Sequence, residues 1–424
     1  MLPAFIKEPP RLKAYLKKFQ FEENFNLFSA LTAGSKTLLD FYDVGGRKYI
    51  KYINEFWTAR QRQSSSLHEI SYRACFKPQL PRFFIELLSK KNDLIYDPFS
   101  GRGTTAIEAG LLGRQTISND INPLSKVLTY SRFFVPTTEE IKKRLDIIPL
   151  TYNLKADIDL SMFYHPKTES EILSLKNYLL KKRYKKSEDK LDLWIRMVAT
   201  NRLTGHSKGF FSVYTLPPNQ AISPANQIKI NIKRKQRPEY RNIKQIILKK
   251  TSSLLRNVNV EEKNTLKHVG NKALFLMEDA RQTSEIRNNS VQLVVTSPPF
   301  LDVVNYSQDN WLRCWFNNID DREISKNITM SKDINLWSNI IQGVFNELFR
   351  IVKNGGWTAF EVGEVRGGTI NLEEYVISLG LKTGFECVGI LVNTQPFTKT
   401  SNIWGVKNNI RGTNTNRVVI FYKK

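Results

Sequence analysis

Residues 94–112 constrain the fold more than any other stretch. Leu94-Ile95-Tyr96 is a short apolar run that reads as a buried strand. It passes directly into Asp97-Pro98-Phe99-Ser100-Gly101-Arg102-Gly103-Thr104-Thr105, and Ala106 to Leu112 then has helical character with Gly113 as a stop. A strand that turns through a glycine loop into a helix is the first half of a βαβ unit, and such units build parallel sheets. Gly101 and Gly103 let the chain turn sharply and let a ligand approach the backbone, while the amides opening the helix point at whatever sits there. A lone G-x-G also serves ordinary turns; Asp97 at the strand end and Thr104-Thr105 at the helix start make this one more specific. No G-x-x-x-x-G-K-[ST] occurs, which argues against a phosphate-cradling P-loop.

The βα rhythm continues. Gln115-Thr116-Ile117-Ser118 reads as a second strand ending in Asn119-Asp120-Ile121-Asn122-Pro123. An acidic residue at that strand end is where a nucleotide-binding sheet holds a ribose hydroxyl pair, so Asp120 is a candidate; alone, it could equally cap a helix. A third strand, Ala273 to Met277, runs into Glu278-Asp279-Ala280-Arg281, where Asp279 or its neighbouring amide is placed to read an adenine edge. Val291 to Val295 is a further buried strand, followed by Thr296-Ser297-Pro298-Pro299-Phe300. Two consecutive prolines cannot continue a ladder, since neither has an N–H. The chain is therefore stiff there, with carbonyls and a hydroxyl for the edge of a planar group and an aromatic ring for its face. Asn335 to Val352 reads as a helix stopped by Lys353-Asn354-Gly355-Gly356, and Trp357–Val362, Cys387–Val392 and Val418–Tyr422 as the last strands.

Two regions break the rhythm. Residues 1–65 read as a helical region, with helical spacing from Arg11 to Phe19 and a turn within Tyr42–Tyr49. Residues 137–270 read as an insertion, with helices over Glu169–Tyr184 and Lys190–Leu203, a strand over Gly209–Thr215, the stretch Pro217-Pro218-Asn219-Gln220-Ala221, and a basic run from Lys229 to Arg241. Residues 137–268 carry 27 Lys and Arg against 13 Asp and Glu, a large share of the whole chain's net charge of +24. Such an excess points to a polyanionic partner, nucleic acid first. Three scattered cysteines, Cys75, Cys314 and Cys387, make neither a disulfide framework nor a zinc site and suit a reducing compartment. The N-terminus lacks the apolar core of a signal peptide and no stretch reaches a membrane span, so a soluble, cytoplasmic protein without a membrane partner is expected.

With both motifs in view, the sequence resembles the S-adenosylmethionine-dependent DNA amino-methyltransferases, which methylate the exocyclic nitrogen of cytosine or adenine. Asp97 through Thr105 matches the family's glycine motif, and Ser297-Pro298-Pro299-Phe300 its catalytic [DNS]-P-P-[YFW] motif. The resemblance covers roughly residues 66–135 and 270–424. It implies an α/β fold: a Rossmann-like, mostly parallel seven-stranded sheet with helices on both faces and a large basic insertion. The domains are then an N-terminal helical region (1–65), a cofactor-binding half (66–136), an insertion serving as target-recognition region (137–270) and a catalytic half (271–424).

The resemblance also assigns roles. Phe76-Lys77-Pro78 would close over the methionine end of S-adenosyl-L-methionine. Asp97, Phe99, Ser100, Gly101, Gly103, Thr104 and Thr105 would form its loop, Asp120-Ile121 would hold ribose, and Asp279-Ala280 adenine. Ser297, Pro298, Pro299 and Phe300 would handle a flipped base. No metal is implied. The partners implied are double-stranded DNA and a cognate restriction endonuclease acting on the same site. Cytosine C5 chemistry needs a cysteine nucleophile, typically after a proline; Cys75, Cys314 and Cys387 follow Ala74, Arg313 and Glu386, which argues against it. A leading Ser, as in Ser297, leans towards cytosine N4 over adenine N6. An RNA base methyltransferase, an inactive DNA-binding relative and a nicotinamide dehydrogenase are the weaker alternatives.

Overall fold

A computed structural model of the chain describes residues 5–20, 36–58, 64–73, 75–217, 220–301, 306–320, 333–365, 370–394 and 415–424. Pro218 and Asn219 of the proline-rich stretch, and residues 302–305 after the Pro-Pro motif, lie outside the described residues.

One mixed sheet organises the molecule. In chain order its strands are β1 (Leu38–Val44), β2 (Arg47–Asn54), β3 (Leu94–Asp97), β4 (Gln115–Asn119), β5 (Leu274–Leu276), β6 (Val291–Thr296), β7 (Val352–Val362), β8 (Glu386–Thr394) and β9 (Thr415–Tyr422). Their spatial order is β1-β2-β8-β9-β7-β6-β3-β4-β5. Pairs along β7-β6-β3-β4-β5 are parallel, β9 is antiparallel to both β7 and β8, and β2 pairs parallel with β8. The sheet thus has nine strands where seven were expected. The two extra strands are the β1–β2 hairpin, which turns at Gly45-Gly46 with φ of +59° and +78°. The N-terminal region, expected to be helical, contributes this hairpin beside its helix α1 (Pro9–Lys18). Tyr49-Ile50-Lys51-Tyr52-Ile53 is β-branched and aromatic, as a strand favours, and a Gly-Gly turn fits a two-residue hairpin.

Alternate residues of the strands feed cores on opposite faces, the period of two a pleated strand imposes. On one face Ile95, Leu293, Val295 and Ile420 pack with α1 and α2 (Gln79–Leu88). On the other, Tyr96, Val294, Val419 and Phe421 pack with the two later helices Ile334–Ile351 and Leu372–Thr383. After β3 comes α3 (Thr104–Leu111), and after β4 comes α4 (Leu124–Tyr130).

Between β4 and β5 run six helices after α4: α5 (Thr138–Ile147), α6 (Pro166–Tyr184), α7 (Lys190–Arg202), α8 (Pro224–Arg234), α9 (Ile243–Leu255) and α10 (Val260–Gly270). Capping boxes open three of them, at Thr137/Glu140, Asp189/Asp192 and Asn259/Glu262, satisfying amides that would otherwise lack partners. Trp194, Phe163 and Phe211 of this region share one apolar cluster with Ile107, Phe275 and Phe316, so it packs directly on the sheet's flank. The strand expected over Gly209–Thr215 is not formed; only an isolated bridge joins Gly205 to Tyr214. Side chains take several of its carbonyls instead of a neighbouring strand: Tyr214 O accepts from Gln227 Nε2 at 3.1 Å and from Gln236 Nε2 at 3.0 Å. The Arg241 guanidinium donates to Ser207 O at 3.0 Å, Phe210 O at 2.9 Å and also to Ser212 O.

The chain leaves β6 through the Pro-Pro segment into α11 (Tyr306–Asn317), then α12 (Ile334–Ile351), and α13 (Leu372–Thr383) follows β7. Among the described residues no helix is long and apolar enough to cross a membrane, and no group of three or more His, Cys, Asp or Glu could hold a metal ion.

Candidate active site

A cavity opens at the C-terminal ends of β3, β4, β5 and β6, where ligands of open α/β sheets collect. Its floor is the glycine loop, with Phe99, Ser100, Gly101 and Thr104; Asp120 and Ile121 follow from β4, and Asp279 and Ala280 from β5. Ser297, Pro299 and Phe76 line it as well. Segments separated by more than 200 residues in sequence therefore meet at one hollow.

The glycine loop has the shape its sequence demanded. Gly101 has φ +52° and Gly103 φ +74°. At Gly103 a Cβ would sit 2.2 Å from Thr129 Oγ1, so both the backbone angle and the space demand glycine. The Gly101 amide donates to Asp120 Oδ2 at 2.8 Å, and the Asn122 amide donates to Asp120 Oδ1 at 2.9 Å. Burial pushes the Asp120 carboxyl up to about 6, against the pull of these two amides. Ser118 Oγ donates to Ser100 Oγ at 2.7 Å, fixing the loop to β4.

Other expected residues stand behind the cavity. Asp97 does not line it: its Oδ1 accepts from Thr296 Oγ1 at 2.7 Å and from the Phe99 amide at 3.1 Å, tying the end of β3 to the end of β6. Full burial raises the Asp97 carboxyl to about 7. Thr105 Oγ1 donates to Val295 O at 3.1 Å, and Gly103 caps α3. Neither lines the cavity, nor do Lys77 and Pro78, which lead into α2 behind Phe76. Partial desolvation, with the Arg102 guanidinium nearby, pulls the Lys77 ammonium below its usual range although the residue is exposed. Asp279 does line the cavity, in an ion pair with Arg281 at 2.5 Å that holds its carboxyl below the ordinary range.

In the Pro-Pro segment, Ser297 and Pro299 face the cavity, while Pro298 and Phe300 are not among its lining residues. The Phe300 ring lies beside Gly363 at the end of β7, 3.2 Å from where a Cβ on that glycine would be. The Pro299 carbonyl accepts from Trp337 Nε1 at 2.9 Å.

Sequence reasoning missed one wall and the roof. Trp337, Ile340, Ile341 and Val344 of α12 form a stripe along the cavity at i, i+3, i+4, i+7 spacing. That periodicity signals an apolar helix face without saying whether a core or a ligand covers it. Tyr72 and Cys75 complete the roof beside Phe76. Arg102, the residue between the two glycines, gathers this segment: it donates to His68 O at 3.2 Å, Ile70 O at 2.9 Å and Phe76 O at 3.4 Å.

Comparison with known proteins adds the following. Residues 15–128 match a family described as DNA methylase. The chain is similar to the Type II methyltransferase M.BsoBI of Geobacillus stearothermophilus, 25% identical over 311 residues that cover 66% of this chain and 59% of that one. It is also similar to the Type II methyltransferase M.MvaI of Kocuria varians, 24% identical over 299 residues, covering 64% of this chain and 60% of the other. The chain thus spans about 60% of the length of these relatives. Among solved structures, the rRNA methyltransferase aviRa from Streptomyces viridochromogenes aligns over 87% of this chain and 91% of its own at 9% identity, with a TM-score of 0.32.

Proposed function

We propose that this protein is a DNA amino-methyltransferase that uses S-adenosyl-L-methionine and acts on the N4 amino group of cytosine in double-stranded DNA, as the modification partner of a restriction endonuclease. The observation that carries the reading is the meeting of both motifs at one cavity: the glycine loop with Asp120 on one side, Ser297 and Pro299 on the other. The similarity to Type II methyltransferases agrees with it.

The residues present fit the cofactor. A half-buried carboxylate beside a glycine loop suits ribose hydroxyls, since Asp120 keeps lone pairs beyond those taken by the Gly101 and Asn122 amides. Phe99, Ile121 and Ala280 offer apolar surface for an adenine, and Asp279 stands at its rim. Phe76 and Tyr72 cover the other end. When bound, the cofactor supplies an electrophilic methyl group on a sulfonium.

The protein's own work is at the acceptor. An exocyclic amine is a weak nucleophile because its lone pair is delocalised into the ring. The Ser297 hydroxyl and the Pro298 carbonyl would accept its two hydrogens and draw the nitrogen towards a pyramidal shape. Holding the amine so, in a site closed to water, supplies most of the acceleration. Phe300 would stack on a base taken out of the duplex. Trp337 fixes the Pro-Pro turn through the Pro299 carbonyl, which keeps the neighbouring acceptors in place.

Cytosine N4 is preferred to adenine N6 on the leading Ser297. The basic helical region between β4 and β5 is the surface proposed for duplex DNA. The test is to express the protein with a plasmid, digest the DNA to nucleosides and measure modified bases by mass spectrometry. N4-methylcytosine is expected. N6-methyladenine alone would move the target base, and neither product would overturn the reading.

A further inference from the structure

Helix α8 keeps its isoleucines on the water side. Of its 11 residues only Gln227 is buried. Ile228 is 45% exposed and Ile232 73%. Ala225, Ile228, Lys229 and Ile232, at i, i+3, i+4 and i+7, form one outward ridge, and all four are exposed. The opposite side is fastened by carboxamides. Gln227 Nε2 donates to Tyr214 O at 3.1 Å and to Asn231 Oδ1 at 2.7 Å, and Asn231 Nδ2 donates to Met162 O at 2.8 Å. Just past the helix, Gln236 Nε2 donates to Tyr214 O at 3.0 Å and to Asn231 Oδ1 at 2.8 Å. The Arg234 guanidinium lies 3.8 Å from the centre of the Tyr214 ring. Both ends are closed locally. Ser223 Oγ accepts from the Asn226 amide at 3.3 Å, Pro224 opens the first turn, and Lys235 ends the helix at φ +49°. α8 is thus set in a fixed attitude by hydrogen bonds, and turning it over to hide Ile228 and Ile232 would break them.

Its charge selects what can cover that ridge. Residues 224–240 hold Lys229, Lys233, Arg234, Lys235 and Arg237 against the single acid Glu239, and all six are exposed. A second copy of this surface would be repelled, whereas a polyanion is attracted. Its place in the fold points the same way. The Ala221 amide donates to Asp309 O at 2.8 Å, and Trp311 Nε1 donates to Ile222 O at 3.1 Å. Both partners belong to α11, the helix entered from the Pro-Pro segment. Arg73 pairs with the Asp309 carboxylate at 2.8 Å, and Tyr72 beside it lines the cavity. The start of α8 is therefore tied to the catalytic side of the molecule through α11.

We propose that α8 is the helix that enters the major groove of the target duplex, with Ile228 and Ile232 on base edges and Lys229, Lys233 and Lys235 on phosphates; this rests on the DNA methyltransferase reading. A single helix about 10–12 Å across fits the major groove, which is about 12 Å wide. The apolar group displayed on that groove's floor is the thymine methyl. An isoleucine ridge therefore assigns at least one A·T pair to the recognised sequence. The lysines bind without regard to sequence, so the two kinds of residue divide specificity from affinity.

The test needs a wild-type protein that methylates plasmid DNA, whose modified sequence is located by sequencing. Two duplexes of equal composition, one with that sequence and one with it scrambled, are then titrated by fluorescence anisotropy. For the Ile228→Ala/Ile232→Ala double variant, affinity for the site duplex should fall about 10–50-fold while the scrambled duplex stays within about twofold. Replacing the thymines of the site by uracil should weaken the wild type and leave the double variant unchanged, because the methyl has then lost its partner. Lys233→Gln should weaken both duplexes alike and make the slope of log affinity against log salt shallower by about 1. Cofactor affinity and melting temperature should not change in any of these variants, since the side chains are exposed and alanine favours a helix.

A modified sequence made only of G·C pairs would overturn the inference alone. So would a uracil effect equal in wild type and double variant, or an isoleucine change that weakens site and scrambled duplexes equally. A concentration-dependent dimer that the double variant dissolves, with DNA affinity untouched, would give the ridge to a second copy of the chain and overturn it too. A wild-type protein that methylates no amino group in DNA would overturn the functional reading, and this with it.

Discussion

The two sides of the cavity are built by different means. On the β3–β4 side the fittings are backbone: two glycines at positive φ, and the amides of Gly101 and Asn122 on the Asp120 carboxylate. On the β6–β7 side they are side chains reaching in from other elements: Trp337 of α12 on the Pro299 carbonyl, and Thr105 of α3 on the Val295 carbonyl. A backbone cradle suits a ligand whose shape never changes. Side chains set from several elements suit a polar group whose orientation must be controlled during a reaction.

If that contrast holds, the largest loss of stability should follow a change in the backbone side. Gly103→Ala puts a Cβ into the left-handed region and against Thr129, for about 3–5 kcal/mol of destabilisation in urea unfolding. Gly101→Ala, where the new Cβ comes no closer than 3.4 Å to Cys75 Sγ, should cost only about 1–2 kcal/mol. Equal costs at the two glycines would mean the loop relaxes and is no rigid cradle.

Next in size is Asp120→Ala. Losing a charged acceptor of ribose hydroxyls should weaken S-adenosyl-L-methionine binding roughly 10–100-fold by calorimetry. Because burial lifts this carboxyl to about 6, wild-type affinity should also decline as pH drops below that value, where the protonated group accepts less well. An affinity indifferent to both changes would remove Asp120 from the ribose site. Trp337→Phe, on the side-chain side, should act the opposite way. It should lower the transfer rate about 5–10-fold through the freed Pro299 carbonyl while leaving melting within a few degrees. A variant that loses cofactor affinity and rate in equal measure would place Trp337 with the cofactor rather than the acceptor.

The same contrast explains what the sequence could disclose. Asp97 through Thr105 and Asn119 through Pro123 are consecutive residues whose local rules are strong: glycine for positive φ, a carboxylate at a strand end, a helix start. Their reading needed no distant partner. The sheet's parallel centre followed from βα rhythm for the same reason. The β1–β2 hairpin escaped because the strand it pairs with in the sheet, β8, lies over 300 residues away. Gly209–Thr215 misled because a strand-like composition is satisfied here by side chains from later in the chain, Gln227, Gln236 and Arg241.

One residue joins the two sides, and it supports the smallest and most discriminating test. Asp97 accepts from Thr296 at the head of the Pro-Pro segment and from Phe99 in the glycine loop. Its carboxyl is lifted from 3.8 to about 7, chiefly by burial. The folded chain therefore holds this proton more tightly than the unfolded chain does. The resulting stabilisation is full below the ordinary carboxylate range and is lost as pH rises through about 7. Asp97→Asn keeps an acceptor oxygen for both donors but has no proton to lose. It should differ from wild type by less than about 1 kcal/mol at pH 4, gain on it as pH rises from there through about 7, and hold a constant gap above about pH 8, as read by urea unfolding at each pH. A gap that stays flat would mean Asp97 is already ionised in the fold. The seam would then be an anion held by its two donors, and the two sides of the cavity would be electrostatically coupled rather than merely adjacent.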